Sequence, residues 1–216
     1  MKTRTRQAGF TLVELVITVF IIGILSGAVT QVLLGGSGAF RMGVTVADLE
    51  ARTARTLERM SREIAAADAD TMNPADPAGG NWVEFTTPTG TVGKTILWGP
   101  RLRYRVELAP LELNNGVDDN NNGLVDEGVL VRIEDFGGPN ERRVVLARGV
   151  AEFLEGEIAN GLDDNGNGLD DEGGLAISIQ TGGTRDALTL RLTLQGVDAF
   201  GDVLERTLET TVALRN

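Results

Sequence analysis

Hydrophobic and polar residues follow three different patterns along the chain. Residues 10–34 are almost continuously apolar, and as a helix they would span a bilayer core of roughly 30 Å. From Val46 onward, apolar side chains recur every three or four residues, which predicts an amphipathic helix over residues 45–68. From Trp82 onward, apolar and polar side chains alternate, which predicts strands. The pattern therefore predicts two helical segments followed by a β-rich domain over residues 81–216.

The alternating segments favour an antiparallel sheet with one buried and one solvated face. The preceding helix can cover the buried face, which predicts an α+β fold. In this fold a long N-terminal helix, membrane-spanning and then amphipathic, packs on the sheet. Strands are expected at residues 82–86, 96–98, 102–108, 129–133, 144–146, 150–154, 175–179, 188–194 and 208–214.

Residues 35–70 are expected to hold a glycine break and the amphipathic helix. The segment 35–38 contains three glycines, and each glycine inside a helix costs about 1 kcal/mol relative to alanine. We expect a loop there that ends the membrane helix, although a flexible helical joint is the alternative. The amphipathic helix should end near Asp70, before a loop rich in proline and glycine. The charged residues on its other faces are expected to form a solvated surface: Arg52, Arg55, Glu58, Arg59, Arg62 and Glu63.

The first apolar segment contains one ionisable residue, Glu14. A carboxylate in a membrane costs about 2.5–3.5 kcal/mol even on lenient scales, so it needs a partner. A secretory signal peptide cleaved near Ala28 would have its apolar region interrupted by this residue. A plain single-pass anchor explains the length of the segment but not the carboxylate. In a third interpretation, residues 1–9 are a leader cut after Gly9, which leaves Phe10 as the new N-terminus.

The basic leader, the run Gly9-Phe10-Thr11-Leu12-Val13-Glu14 and the apolar segment over residues 10–34 resemble a known signal. It is the class III leader of type IV pilins and type II secretion pseudopilins. The resemblance implies that a prepilin peptidase cuts after Gly9 and methylates the Phe10 amine. It also implies that Glu14 pairs with the N-terminal ammonium of a neighbouring subunit within a filament. Such a pairing is physically reasonable, because a cation offsets the cost of the carboxylate in hydrocarbon.

Further similarities to members of this superfamily occur along the rest of the chain. Residues 57–64, 102–106, 130–132, 149–150 and 210–216 resemble segments of J-type minor pseudopilins and PilW-like minor pilins. This resemblance implies a single-pass inner-membrane protein whose globular domain lies in the periplasm. Its partners would be other pilins or pseudopilins, contacted through the N-terminal helix.

Two acidic segments, 115–128 and 160–173, repeat with an offset of 45 residues. Their pattern of acidic, asparagine and glycine residues is close to the first part of an EF-hand calcium loop, in which alternate oxygens converge on the ion. The candidate ligands are Asp118, Asn120, Asn122, Leu124, Asp126 and Glu127, and then Asp163, Asn165, Asn167, Leu169, Asp171 and Glu172. Asparagine- and glycine-rich turns without metal are the alternative.

The acidic loops depart from an EF-hand at the twelfth position, where a glutamate is required. Val129 and Gly174 stand there, so one of the two preceding acids would have to close each site. Because strands are expected on both sides, these would be two calcium-type loops between strands. We expect two calcium ions with modest affinity, in the range of about 10⁻⁴–10⁻³ M, in a structural role.

Composition narrows the function further. The chain has no cysteine and no histidine, so a thiol nucleophile and the usual general base are missing. The chain is therefore not expected to be an enzyme. Its net charge is −11, which argues against nucleic acid as a partner. The sequence predicts a minor pseudopilin at the tip of a type II secretion pseudopilus. A minor pilin of a type IV pilus, for adhesion, motility or DNA uptake, and a membrane-anchored calcium-binding protein that does not polymerise are the alternatives.

Overall fold

The computed structural model of the chain describes residues 9, 11–67, 69–74, 79–180 and 187–214. The chain divides into two units, Met1–Gly43 and Val44–Asn216. Phe10 and most of the expected leader lie outside the described residues, as do residues 215–216.

Helix α1 runs from Leu12 to Ala65 without interruption. The expected loop at residues 35–38 is therefore wrong. Glycine lowers helix stability but does not prevent a helical backbone, and extending a helix that exists on both sides requires no new nucleus. No proline occurs between Leu12 and Ala65, and the Ser37 hydroxyl donates a hydrogen bond of 2.9 Å to the Leu34 carbonyl inside the turn.

The second part of α1 is amphipathic, as the spacing predicts. Its buried residues recur at helical intervals: Leu49, Thr53, Thr56, Leu57, Met60 and Ile64. The helix ends at Ala65, earlier than expected, and a short 3₁₀ turn over Ala69–Thr71 occupies the segment where it was predicted to continue. Asp70 thus lies in this turn and not at the end of α1.

Among the described residues, seven strands follow the helix: β1 (Trp82–Val92), β2 (Thr95–Leu108), β3 (Gly128–Glu134), β4 (Arg142–Val150), β5 (Leu175–Gln180), β6 (Ala187–Val197) and β7 (Val203–Ala213). They form one sheet in the order β1-β2-β3-β4-β6-β5, and β7 also pairs with β6. Every pair is antiparallel. The predicted α+β fold, with a long N-terminal helix packed on an antiparallel sheet, is confirmed.

Two strand predictions need correction. Residues 96–98 and 102–108 were expected to form separate strands but belong to one strand, β2, which pairs with β1 through two register shifts. Residues 150–154 were expected to form a strand, yet only Val150 belongs to β4. The following residues leave the sheet because they begin a long acidic connection, where Phe153 makes a single bridge to Gly173.

The main core lies between the amphipathic part of α1 and one face of the sheet. Leu49, Met60 and Ile64 from the helix are fully buried, as are Phe85 and Tyr104 from the sheet. They belong to one continuous cluster. A smaller cluster of Ala109, Val129, Val131 and Ile133 with Phe136 forms a second apolar contact region. In β3, Leu130 belongs to the main cluster and its neighbours belong to the small one, as alternation along a strand requires.

Candidate functional sites

The start of α1 is capped by its own side chains. The Glu14 amide donates a hydrogen bond of 3.2 Å to the Thr11 hydroxyl, and the Thr11 amide donates one of 3.4 Å to Glu14 Oε2. This reciprocal pair is a capping box, for which a threonine followed three residues later by glutamate is the signal in the sequence. The sequence interpretation missed this role for Glu14. Its predicted intersubunit partner, the Phe10 amine, lies outside the described residues, and Gly9 is exposed.

The first unit presents an extended apolar surface between Leu12 and Leu34. Every valine, leucine, isoleucine and phenylalanine between Leu12 and Leu34 is between 49% and 81% exposed. Among the described residues, α1 is the one helix long and apolar enough to cross a membrane. An apolar surface of this extent requires lipid or the apolar helices of other chains as its environment. The segment is therefore consistent with a single-pass membrane anchor.

The two acidic loops lie between strands, as expected. The first occupies residues 109–127 between β2 and β3, and the second occupies residues 151–174 between β4 and β5. Their backbones repeat with the same offset as their sequences. Residues with a left-handed backbone occur at five paired positions: 111 and 156, 116 and 161, 121 and 166, 123 and 168, and 126 and 171. The two segments therefore share one local conformation.

The aspartates of both loops are used mainly to close the turns. Both carboxylate oxygens of Asp126 accept main-chain amides, from Asn115 at 3.0 Å and from Gly116 at 2.6 Å. Asp118 accepts the amides of Asn122 and Gly123 in the same way.

The second loop repeats these bonds at the equivalent positions. Asp171 accepts the amides of Asn160 and Gly161 at 2.9 and 2.8 Å. Asp163 accepts amides from three consecutive residues, 166–168. These four aspartates, predicted as calcium ligands, are thus already engaged by the backbone.

The asparagines also make local bonds. The side-chain oxygen of Asn122 accepts the Leu124 amide at 2.8 Å, and that of Asn167 accepts the Leu169 amide at 3.0 Å. Asn165 accepts the Asn167 amide in the same way. The structure brings these residues into compact turns, with the two leucines as amide donors at the positions where carbonyl ligands were predicted.

Four buried glutamates distinguish these loops from ordinary turns. Glu112 and Glu127 lie near the two ends of the first loop, and Glu157 and Glu172 occupy the equivalent positions of the second; all four are between 2% and 6% exposed. The sequence interpretation included Glu127 and Glu172 but missed Glu112 and Glu157. The signal was present, because these two residues also recur with the offset of 45.

Calcium is a hard cation that binds carboxylate and carbonyl oxygens. These loops offer oxygens of both kinds. Among the residues that the structure describes, no group of three acidic side chains is placed to hold one metal ion. A cation would therefore need asparagine or main-chain oxygens in addition to two glutamates. The buried glutamate oxygens without a hydrogen-bond partner fit that requirement: Glu112 Oε2, Glu127 Oε2, Glu157 Oε2 and both carboxylate oxygens of Glu172.

A separate polar group joins α1 to the sheet. Glu63 Oε2 accepts a hydrogen bond from the Tyr104 hydroxyl and one from Arg132 Nε, both at 2.8 Å. Burial, and then the negative charge of Glu63, raise the pKa of Tyr104 well above its ordinary value. Burial lowers the pKa of Arg132, but its hydrogen bond and charge interaction with Glu63 outweigh burial and raise it. The expectation that Glu63 belongs to a solvated surface is wrong, because β2 and β3 bring two partners to it.

The prokaryotic N-terminal methylation motif matches residues 4–30 of the chain. No curated protein and no solved structure matches the chain. The motif covers the basic leader and the first part of α1, including Gly9 and Glu14. It implies processing by a prepilin peptidase and association with pilins, and it suggests a structural rather than an enzymatic protein. The motif thus supports a pilin- or pseudopilin-type protein of the type IV pilin-like superfamily.

Proposed function

We propose that this protein is a minor pseudopilin, a structural subunit at the tip of a type II secretion pseudopilus. The observation that carries the proposal is the methylation motif over residues 4–30, joined to a helix whose apolar surface is exposed on all sides. In the membrane, lipid covers this surface, and in the filament the corresponding helices of other subunits cover it. The domain beyond Val44 lies in the periplasm and contacts neighbouring minor subunits.

Glu14 carries the register of assembly in this proposal. Its contacts with the amide and hydroxyl of Thr11 are both 3.4 Å long, which is beyond the usual range of strong hydrogen bonds. The carboxylate therefore retains capacity for a stronger partner. The methylated ammonium of Phe10 on a neighbouring subunit supplies a positive charge and offsets the cost of the carboxylate in an apolar environment.

Calcium stabilises the periplasmic domain in this proposal. Two loops with the same backbone conformation are each flanked by buried carboxylates, and a divalent cation would relieve the repulsion and desolvation of those charges. Its role is structural, because it would order the connections between β2 and β3 and between β4 and β5.

The first test is mass spectrometry of the mature N-terminus in the native host. The expected N-terminus is Phe10 with a methylated amine. An N-terminus at Met1, or one created by cleavage after Ala28, would contradict the proposal. The former would leave an unprocessed anchor, and the latter would identify a secretory signal peptide.

The second test compares Glu14→Gln with Glu50→Gln, a change at an exposed position of the same helix. Glu14→Gln should leave cleavage and membrane insertion intact but reduce incorporation into sheared filaments, whereas Glu50→Gln should not. Equal incorporation of both variants would favour an anchor that does not polymerise. Deleting the gene should abolish export of secreted proteins. Loss of surface adhesion, motility or DNA uptake instead would identify a minor pilin of a type IV pilus.

A further inference from the structure

We infer that a pair of buried glutamates forms the cation-binding centre of each acidic loop, Glu112 with Glu127 and Glu157 with Glu172, and that the second centre fills first. The inference rests on the proposal that the loops bind calcium and does not depend on the filament assignment. It differs from the ligand set that the sequence predicts, because it replaces the turn-closing aspartates by a glutamate that precedes each repeated segment, Glu112 before residues 115–128 and Glu157 before residues 160–173.

These carboxylates are buried without a positive charge in the described part of the chain to pair with them. Glu127 is 2% exposed and Glu172 is 3% exposed. Among the described residues, no lysine or arginine forms a salt bridge with any of the four glutamates. A buried charge without a partner is strongly unfavourable, so such groups are paired or coordinate metals. Two carboxylates per centre would neutralise one divalent cation.

Main-chain hydrogen bonds join the two glutamates of each pair into one local framework. In the first loop, Asn120 donates its main-chain amide to Glu112 Oε1 and its side-chain amide to Glu127 Oε1, both at 2.9 Å. Both glutamates therefore contact the same residue. The amides of Ala109 and Glu112 make further main-chain bonds, to the carbonyls of Glu127 and Ala109.

The second loop repeats this framework. The Leu154 amide donates to the Glu172 carbonyl at 3.0 Å, and the Glu157 amide donates to the Leu154 carbonyl at 2.9 Å. The Asn165 amide donates to Glu157 Oε1 at 2.9 Å. These main-chain amide donors match those of the first loop residue by residue, whereas the bond from the Asn120 side chain to Glu127 has no counterpart at Glu172. The main-chain framework around the glutamate pair is therefore a feature of the repeat.

Both loops are accessible from solvent. An open cleft of about 480 Å³ is lined by Asn120, Asn122 and Glu127. Another, of about 230 Å³, is lined by the equivalent Asn165 and Asn167. A small hydrated ion can therefore reach each loop. The available metal ligands are oxygen atoms in irregular turns. Calcium is therefore favoured over magnesium, which requires near-ideal octahedral geometry.

The two centres differ in their free oxygens. Glu127 Oε1 already accepts the side-chain amides of Asn120 and Asn122, at 2.9 and 2.6 Å, and these donors must move before a cation binds that oxygen. Glu172 has no hydrogen-bond partner on either oxygen. The second centre therefore offers three free carboxylate oxygens, Glu157 Oε2 and the two of Glu172, and the first offers two.

The charges near the two clefts favour the same order. Arg148 and Arg52 line the cleft beside Glu127; Arg52 is paired with Asp48 at 2.9 Å, and the positive charge of Arg148 opposes the approach of a cation. The cleft beside Asn165 and Asn167 is lined by Arg191, whose charge is compensated by Glu209 at 2.7 Å, and by Glu155, which is paired with Arg206 at 3.2 Å. We therefore expect the second centre to bind calcium more tightly.

The test is calorimetric titration of the full-length chain in detergent, stripped with a chelator and titrated with calcium chloride. Two binding events are expected. Glu157→Gln should weaken the tighter event at least about tenfold, and Glu112→Gln should weaken the other by a similar factor. Glu58→Gln is the control, because it changes a largely exposed acid of α1 that lines neither cleft and should leave both events unchanged.

Denaturation of the same variants separates a ligand from a structural residue. Glutamine removes the buried charge while keeping the shape, so without calcium each variant should be as stable as the parent chain or more stable. The stabilisation by calcium should decrease. A loss of stability without calcium together with an unchanged calcium response would show that the glutamates are structural and would overturn the inference.

The outcomes also distinguish this inference from the broader calcium proposal. If the parent chain shows no calcium binding, both fail. If the parent chain binds calcium and neither Glu112→Gln nor Glu157→Gln weakens it, only the glutamate assignment fails. If Glu112→Gln weakens the tighter event, the proposed order of filling is wrong.

Discussion

Among single residues, Glu63 makes the most consequential contact between α1 and the sheet. Its carboxylate accepts hydrogen bonds from Tyr104 on β2 and Arg132 on β3, and these two residues are directly paired across the strands. The Arg132 side chain is only 14% exposed, so it has little access to water as a substitute partner. One side chain thus connects three elements.

Replacing Glu63 by alanine should lower the free energy of unfolding by about 2–3 kcal/mol, because the buried Tyr104 hydroxyl loses its acceptor and the Arg132 guanidinium is left with Glu134, at 3.3 Å, as its partner. The control is Glu58→Ala on the same helix, whose ion pair with Arg62 is largely exposed; it should cost less than about 1 kcal/mol. Urea denaturation measures both. Equal costs for the two variants would contradict the role assigned to Glu63.

Tyr104 gives a direct optical signal of alkaline unfolding, because it is the only tyrosine in the chain. Its pKa is raised in the folded state, so the unfolded chain, with a tyrosine pKa of about 10, loses its proton first as the pH rises. This contribution to stability is therefore complete below about pH 10 and is lost above that value. We expect tyrosinate absorbance to develop together with the loss of near-ultraviolet circular dichroism.

The matched variant for this titration is Tyr104→Phe, which should remove the tyrosinate signal. It should also flatten the decline of stability above about pH 10, because no proton is then released from this position on unfolding. Tyrosinate absorbance that developed near the ordinary tyrosine pKa in a chain with native circular dichroism would show that the hydroxyl is accessible and would contradict its burial against Glu63.

At the scale of elements, the continuity of α1 is the main difference between prediction and structure. The glycines at residues 35, 36 and 38 were expected to end the helix, and the structure carries the helix through them. A residue's propensity changes the local stability of a helix by about 1 kcal/mol, which is too little to overcome helical segments on both sides. Propensity therefore identified a weak turn and not a boundary.

Gly36→Ala should strengthen this weak turn. Apart from the neighbouring backbone of α1 and the adjacent residues, no atom lies within 4 Å of the position that an added Cβ would take at Gly36, so alanine fits and gains about 1 kcal/mol of helix propensity. Amide exchange over residues 35–43, measured on the monomer in micelles, should slow about fivefold. Ala39→Gly is the reciprocal control and should accelerate it. Unchanged exchange in both variants would contradict a continuous helix in this segment.

The strand connections show what local pattern can specify. Period-two alternation located the buried parts of most strands, because opposite faces of a strand meet different environments. It placed the segment 150–154 in a strand because that segment is apolar. In the structure, residues after Val150 enter the second acidic loop, where Leu154 is buried against the loop framework. Burial alone does not distinguish a strand from an ordered loop.

At the scale of the whole molecule, charge connects the acidic loops with stability. The net charge is −11, and it becomes −14 when the three basic residues of the leader, Lys2, Arg4 and Arg6, are removed. Self-repulsion of this size destabilises a compact state. A divalent cation bound by the folded domain and not by the unfolded chain would oppose it.

Calcium should therefore raise the midpoint of urea denaturation. With dissociation constants of about 10⁻⁴–10⁻³ M, calcium at about 10 mM should add about 1.4–2.7 kcal/mol for each occupied loop. Magnesium at the same concentration should add less, because it is a poorer match for irregular oxygen ligands. An unchanged midpoint in calcium, or an equal shift in both salts, would contradict specific calcium binding.

The sequence by itself determined the N-terminal signal, the amphipathic helix, the α+β class and the existence of two matching acidic loops. These features depend on local spacing, and the periods of a helix, a strand and a repeat are visible in one dimension. The tertiary structure decided which carboxylates are available. It assigns Asp118 and Asp126 to main-chain amides, buries Glu112 beside Glu127, and brings Arg132 to Glu63. Such assignments depend on the left-handed turns of each loop and on strand register, which join residues distant in sequence.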